Sequence, residues 1–238
     1  MTFQLRSSAV SARLWHRALD LVFPPRCVGC EEFGALVCEL CEGTMTPAAP
    51  PRCEVCWTLH DPSARCWRCR EQKPVFSGLR SAVLYEGVSR DAVLALKFRG
   101  LSSIAPVLAA GMAASVQQWN PAIDAVVPVP LAPARRRRRG YDQAELLAKE
   151  LACLIDAPCE TRALARRSAT PPQTEQPDPI ARRRNVEKAF GPARRRILGR
   201  VLLVDDVVTT GSTLDACARV LLDEGADEVY ALTFARED

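Results

Sequence analysis

The chain has 238 residues, of which 48% are hydrophobic and 25% charged, with a formal net charge of +4. It exceeds one average domain yet is short for two large ones, so one medium domain with an ample core plus a small module is expected. No run of about eighteen apolar residues occurs, which excludes a membrane-spanning helix.

In chain order, the first segment is SARLWHRALDLVF. Arg13 and Arg17 interrupt its apolar stripe of Leu14, Trp15, Ala18, Leu19 and Val22, which does not suit the core of an export signal. A short docking helix within residues 1–24, with His16 on its surface, and a cytoplasmic protein are expected.

Eight of the 11 cysteines then fall in four Cys-x-x-Cys pairs between Cys27 and Cys69. Without an export signal, disulfides are disfavoured and metal binding is the stronger reading. Each pair is a knuckle that aims two thiolates at one tetrahedral ion, and two knuckles close a structural zinc site. The simplest partition puts Cys27, Cys30, Cys38 and Cys41 on one zinc and Cys53, Cys56, Cys66 and Cys69 on another; interleaved pairing, and a redox role for a single pair, stay open. His60 lies between knuckles, where it could replace a thiolate. So few large apolar residues lie in residues 25–74 that metal binding must supply much of the folding free energy. Cys153, Cys159 and Cys217 lack partners at ligand spacing and are expected to be buried as small apolar residues.

Pro50 and Pro51 separate the two ribbons, and the main domain is expected from about residue 75 to the end of the chain, with Gln72 to Gly78 as its entry. Leu79 to Tyr85 reads as a strand, Ser89 as the cap of a helix running through Phe98, Ser103 to Gln118 as a second helix, and Ala125 to Val129 as a short buried strand. The following stretch, VVPVPLAPARRRRRGYDQAELLAKELA, passes through a proline-rich loop and an arginine run into a helix whose start has capping-box spacing, Asp142 with Glu145 three residues on. Five consecutive arginines, taken alone, suit a solvated charge run as readily as a binding role.

The most constrained stretch is VLLVDDVVTTGST, Val201 to Thr213. Four apolar residues form a buried strand, two carboxylates stand at its end, and a hydroxyl-rich glycine turn opens an amphipathic helix. Backbone N–H groups of such a turn, the helix dipole and the hydroxyls of Thr209, Thr210, Ser212 and Thr213 together suit a phosphate. Asp205 and Asp206 suit the diol of a sugar, because an ionised carboxylate accepts strong hydrogen bonds from hydroxyls.

This segment resembles the phosphoribosyl-pyrophosphate signature of type I phosphoribosyltransferases. Taken with the cysteine knuckles, LKFRG at Leu96 to Gly100, RGYDQ at Arg139 to Gln143, and Gln173, Arg182 and Asn185 ahead of Phe190, the chain resembles the ComF family of competence-associated proteins over nearly its whole length. The resemblance implies an α/β fold, a parallel sheet flanked by helices, behind an N-terminal double zinc ribbon. It implies phosphoribosyl pyrophosphate and Mg2+ as ligands, cytoplasmic action on incoming single-stranded DNA during natural transformation, and a competence helicase as a candidate partner. Carried onto this sequence, the sugar and phosphate would meet Asp205, Asp206, Val207, Thr209, Thr210, Gly211, Ser212 and Thr213. Pro128, Val129 and Pro130 would form the pyrophosphate loop, with Arg139 as anion clamp. If the protein transfers the phosphoribosyl group, Asp205, Asp206 and Lys97 carry the chemistry; Lys97 and Arg99 could meet pyrophosphate or merely solvate a helix end. Two departures stand out. Purine-salvage relatives commonly have a carboxylate where this turn has Thr209, and Ser168 to Ile180 is richer in proline than is usual. The alternative is a phosphoribosyltransferase of nucleotide metabolism, amidophosphoribosyltransferase-like, unrelated to DNA.

The net charge conceals a polarity. Arg135 to Arg200 holds 17 basic and 8 acidic residues, whereas Val201 to Asp238 holds 2 basic and 9 acidic. Arg135, Arg136, Arg137 and Arg138 are therefore candidate nucleic-acid contacts, with Trp57 and Trp67 as candidate stacking platforms.

Overall fold

The computed structural model describes residues 24–60, 65–166, 189–193 and 196–238. The expected N-terminal helix with His16 lies outside these residues, as do the loop from Ser168 to Ile180, Gln173, Arg182 and Asn185.

Two five-residue helices, α1 (Glu39–Gly43) and α2 (Trp67–Glu71), belong to the ribbons. The main sheet begins with β1 (Gly78–Leu84), followed by α3 (Gly87–Phe98), a 3-10 turn at Ser102–Ile104 and α4 (Ala105–Trp119). Next come β2 (Ala125–Pro128), α5 (Pro133–Arg139) and α6 (Gln143–Leu154). An antiparallel pair, β3 (Leu164–Arg166) with β4 (Phe190–Pro192), precedes β5 (Gly199–Val208), α7 (Ser212–Asp223) and β6 (Ala226–Arg236).

The four main strands are parallel in the order β1-β6-β5-β2, with Leu79 opposite Ala231, Val204 opposite Leu232 and Val127 opposite Leu203. Val201 to Val204 are fully buried, as parallel strands covered on both faces must be. One face carries α3, α4 and α6. In α6 the buried set Ala144, Leu147, Ala148, Leu151 and Ala152 recurs at the helical period and packs with Val126, Leu202 and Val204. The other face carries α7 and the β3-β4 pair, whose Leu214, Cys217, Leu221 and Phe190 pack with Val127, Leu203 and Ala231. Neighbouring strands β2 and β5 thus send their next helices to opposite faces, and their carboxyl ends open a crevice between the departing chains.

The ribbons share these cores. Cys27 and Cys41 pack with the first face, and Cys53, Cys66 and Cys69 with the second. The segment between them pairs antiparallel with the outer edge of β1: Ala48 N–H donates to Ala82 O at 3.0 Å and Leu84 N–H to Thr46 O at 2.8 Å. An edge strand that would otherwise offer unpaired backbone groups is covered.

Local boundaries differ from expectation in instructive ways. Helix α3 starts at Gly87, so Ser89 lies inside it, buried, rather than capping it. The arginine run is helical: Pro133 occupies its first turn and Gly140, at φ 84, ends it. Of these three cysteines only Cys217 is buried; Cys159 is half-buried, and Cys153 is exposed because it falls off the face of α6 that buries Leu147, Ala148, Leu151 and Ala152.

Candidate functional site

Strand β5 does not stop at its acids but continues through Val208. Strand β2 ends opposite Val204, where Val129 N–H still donates to Val204 O at 2.9 Å, so the flank of Asp205 and Asp206 is open on that side. Successive strand residues point to opposite faces, and the two carboxylates accordingly meet different neighbours. Asp206 is buried and paired with Lys97, Nζ to Oδ1 2.7 Å. Its Oδ2 has no hydrogen-bond partner among the described residues, and neither has Nε of Arg139. Asp205 Oδ1 accepts the N–H of Asp206 at 2.8 Å. Burial pushes the Asp205 carboxyl well above the usual carboxylate range, and the Asp206 charge adds to this while Lys97 opposes it.

Two segments distant in sequence are fastened together here. Tyr141 of RGYDQ donates its hydroxyl to Leu96 O of LKFRG. Arg139 lies 4.8 Å over the Phe98 ring and donates to Gln143 Oε1 at 2.8 Å; burial lowers its pKa, and the charge of Asp206 acts the other way. Lys97 and Arg139 therefore turn towards Asp206, whereas Arg99 and Arg135 to Arg138 are exposed. The arginine run thus divides, its last member facing the cleft.

The loop of Pro128, Val129 and Pro130 is held by a residue whose second task the sequence did not reveal. Asp142 caps α6 through Ala144 N–H and Glu145 N–H, at 3.1 and 3.3 Å, as expected, and its other oxygen accepts Leu131 N–H at 2.7 Å. Glu145 does not reach back to complete a capping box; it pairs with Arg136 and Lys149. Only tertiary placement of the loop shows the clasp.

Near the end of β5 Val207 is half-buried; beyond the strand Thr209 and Thr210 are exposed, and Gly211, Ser212 and Thr213 are partly covered. Gly211 sits at φ 79, a conformation that a side chain would strain, and has no side chain with which to cap α7. In the first turn of that helix Ser212 N–H donates to the Thr210 hydroxyl at 3.4 Å and Asp215 N–H to Gly211 O at 2.9 Å, and the hydroxyls of Thr210 and Ser212 stand 3.0 Å apart at a helix N-terminus, a place that suits an anion.

The cysteines gather as the simplest partition expects. Cys27, Cys30, Cys38 and Cys41 form one cluster and Cys53, Cys56, Cys66 and Cys69 the other, with all ligand atoms of a cluster within 4.8 Å of one another. Tetrahedral Zn–S bonds of about 2.3 Å require sulfurs about 3.8 Å apart, and Cys30–Cys38 and Cys56–Cys66 lie at 3.7 and 3.5 Å. Burial opposes ionisation of Cys27, but the backbone N–H groups of Cys30, Cys38 and Gly29 bring its thiol down to about 6. Cys53 reaches about 6 in the same way, against burial, through Cys56, Cys66 and Val55. Thiolate is the form that binds zinc. His60 belongs to neither cluster. Trp57 is already engaged: its N–H donates to Ala48 O at 2.8 Å and the Arg80 guanidinium lies 3.9 Å over its ring. Trp67 is 66% exposed.

Among the described residues, no helix is long and apolar enough to cross a membrane. A double zinc ribbon domain matches residues 18–70, and a phosphoribosyl transferase domain matches residues 108–237. The DNA utilization protein YhgH of Salmonella typhi is 34% identical over 181 residues, 74% of this chain and 79% of that protein. Competence protein F of Haemophilus influenzae is 38% identical over 48% of this chain and 50% of its own length. Competence protein ComFC of Bacillus subtilis is 27% identical over 84% of both chains. With two four-cysteine clusters ahead of a parallel sheet that bears the acid pair and hydroxyl turn, the chain belongs to the ComF family: a phosphoribosyltransferase domain behind an N-terminal double zinc ribbon.

Proposed function

We propose that this protein binds phosphoribosyl pyrophosphate in the crevice between the carboxyl ends of β2 and β5, and acts in the handling of incoming single-stranded DNA during natural competence. The observation that carries the ligand is the convergence of Lys97, Arg139 and the buried Asp206 beside the turn from Thr209 to Thr213, with one carboxylate oxygen and one guanidinium nitrogen unpartnered among the described residues. In this reading Asp205 and Asp206 hold the ribose diol. Val207 and the Thr209–Thr213 turn surround the 5'-phosphate. The Pro128–Pro130 loop and Arg139 face pyrophosphate, and Lys97 balances the charge of Asp206 until the ligand arrives.

If transfer occurs, the bond from C1 of ribose to pyrophosphate breaks, leaving oxocarbenium-like character on the ring, and the acceptor bonds to C1. The chain's part is to fix the diol and 5'-phosphate while cationic side chains stabilise the departing charge. Mg2+, entering with the polyphosphate, would supply further neutralisation of that leaving group. Thr209 is exposed and neutral, so the turn offers no carboxylate to take a proton from a purine, which argues against salvage chemistry.

The competence role is supported by relatives that bear competence and DNA-utilization names. Exposed Arg135 to Arg138 and the exposed Trp67 fit a backbone-and-base ligand. Calorimetry with phosphoribosyl pyrophosphate and Mg2+ tests the site: binding heat in wild type, lost in Asp205→Asn with Asp206→Asn. No heat with the zinc-loaded wild type defeats the proposal. Pyrophosphate release on adding candidate acceptors then separates a transferase from a binder.

A further inference from the structure

The turn assigned to the phosphate is held from behind by the second ribbon. The chain leaving that ribbon passes through Val75 and Phe76 on its way to β1. Val75 N–H donates to Asp215 Oδ1 at 2.7 Å, and Asp215 is a buried residue of the first turn of α7 whose own N–H donates to Gly211 O at 2.9 Å. The Phe76 ring, 1% exposed, lies 4.0 Å from where a side chain on Gly211 would begin. A second tether reaches the other end of the turn. Arg52 of the ribbon donates to both carboxylate oxygens of Asp238, at 2.9 and 2.8 Å. Arg236 joins the same carboxylate at 2.7 Å and donates to Cys56 O at 3.2 Å. Between them Glu237 N–H donates to Val208 O at 2.9 Å. The residue before the turn and the helix after it are thus both bonded to chain that the ribbon anchors. Thr209 and Thr210 themselves face solvent. The first ribbon packs against the opposite face of the sheet, with Val28 and Cys41 in the cluster of α3 and α4.

We propose that the second ribbon, closed around its metal, is the back wall of the phosphate turn, and that Asp215 is the positioning residue that transmits its fold to the amides of that turn. The claim about the ligand rests on the phosphoribosyl-pyrophosphate reading; the mechanical coupling does not. Opening the ribbon frees Val75 and Phe76, Asp215 loses the Val75 N–H and keeps only partners on its own side of that contact, such as Arg219, and the first turn of α7 loses the fixed aim that an anion site needs. Linkage makes the effect mutual: a ligand that orders the turn also strengthens metal retention in the second ribbon.

The test is amide hydrogen exchange of residues 209–216 in the full-length, ligand-free, zinc-loaded protein, followed by phosphoribosyl-pyrophosphate affinity. Asp215→Ala removes the charge-assisted hydrogen bond from Val75 N–H together with the longer pair to Arg219 at 3.4 Å, and is expected to speed exchange there about tenfold. Asp215→Asn, whose amide oxygen still accepts from Val75, is expected to stay within about threefold of wild type by the same reasoning. Cys66→Ser, which breaks the second cluster, should accelerate the same amides, and Cys38→Ser in the first cluster should not. Dissociation constants should follow the same order of variants. Acceleration in Asp215→Ala without acceleration in Cys66→Ser overturns the proposal, because a purely local helix effect gives that pattern; so does unchanged exchange in both. If the variants behave as expected but wild type gives no heat with phosphoribosyl pyrophosphate, the coupling stands and the ligand assignment falls.

Discussion

Lys97→Met is the substitution whose consequence can be worked most closely from the site. It removes the partner of a carboxylate whose side chain is 5% exposed and which is held at 2.7 Å by a lysine itself 19% exposed. Breaking a buried pair from one side costs about 3–5 kcal/mol, because the remaining charge is left unpaired. Arg139 stays within electrostatic reach and the lysine end of the pair is partly open to water, so the lower bound of about 3 kcal/mol applies. For a chain of this size that is a fall in Tm of roughly 6–12 °C. Asp206→Asn keeps an acceptor for Lys97 and leaves only the more exposed cation short of a counter-charge, at about 1 kcal/mol. The double variant buries no unpaired carboxylate and should cost about 1.5 kcal/mol, so the cycle should depart from additivity by about 2.5 kcal/mol. Urea unfolding followed by tryptophan fluorescence, at constant m, measures all four proteins. Strict additivity, or a Lys97→Met variant within about 0.5 kcal/mol of wild type, refutes the pairing.

Three further outcomes follow from the same structure. Asp205→Asn should raise the Tm of the ligand-free protein while abolishing ligand binding: a carboxyl whose folded pKa is raised carries no penalty when protonated, below about 4, and its penalty grows as pH rises towards the folded value. The advantage of the variant must therefore be larger at neutral pH than at about pH 4, and a variant less stable than wild type at both would contradict the desolvation argument. Cys66→Ser should lower bound zinc from two ions per chain to one and reduce the folded population, measured by metal analysis and circular dichroism; retention of both ions would count against the partition seen in the clusters. Replacing Arg135, Arg136, Arg137 and Arg138 with glutamine should reduce the slope of log affinity for single-stranded DNA against log salt by about 3, if each meets one phosphate, and an unchanged slope would remove α5 from the DNA surface.

Much of the fold was legible because its signals are local. Val201 to Val204 read as a doubly covered strand because a short apolar run that ends in two acids and a glycine turn leaves no polar face and is too brief for a buried helix, and all four are buried. The helix of Ala144 to Ala152 announced itself by period and by Asp142 at its start. Cys-x-x-Cys spacing fixes where a knuckle aims its sulfurs, so metal binding was readable in the sequence, whereas which knuckles share an ion was left open there and follows from the fold, which gathers Cys27, Cys30, Cys38 and Cys41 apart from Cys53, Cys56, Cys66 and Cys69. Boundaries failed where local preference met packing: Ser89 is a good cap in isolation, but the chain reverses earlier, at Gly87, and draws the serine into the core.

What the chain determines by itself is thus the inventory of elements and the chemistry concentrated in single motifs: two cysteine ribbons, a parallel sheet, an acid pair and a hydroxyl turn. Which side chains meet across the sequence was settled only by tertiary structure. Lys97 finds Asp206 because Tyr141 fastens α3 to the end of α5, and Val75 finds Asp215 because the ribbon exit passes behind α7. Contacts between residues 109 and 140 positions apart leave no periodic or spacing signal in a single sequence. They arise from the order in which four parallel strands assemble, which brings the ends of distant segments to one crevice.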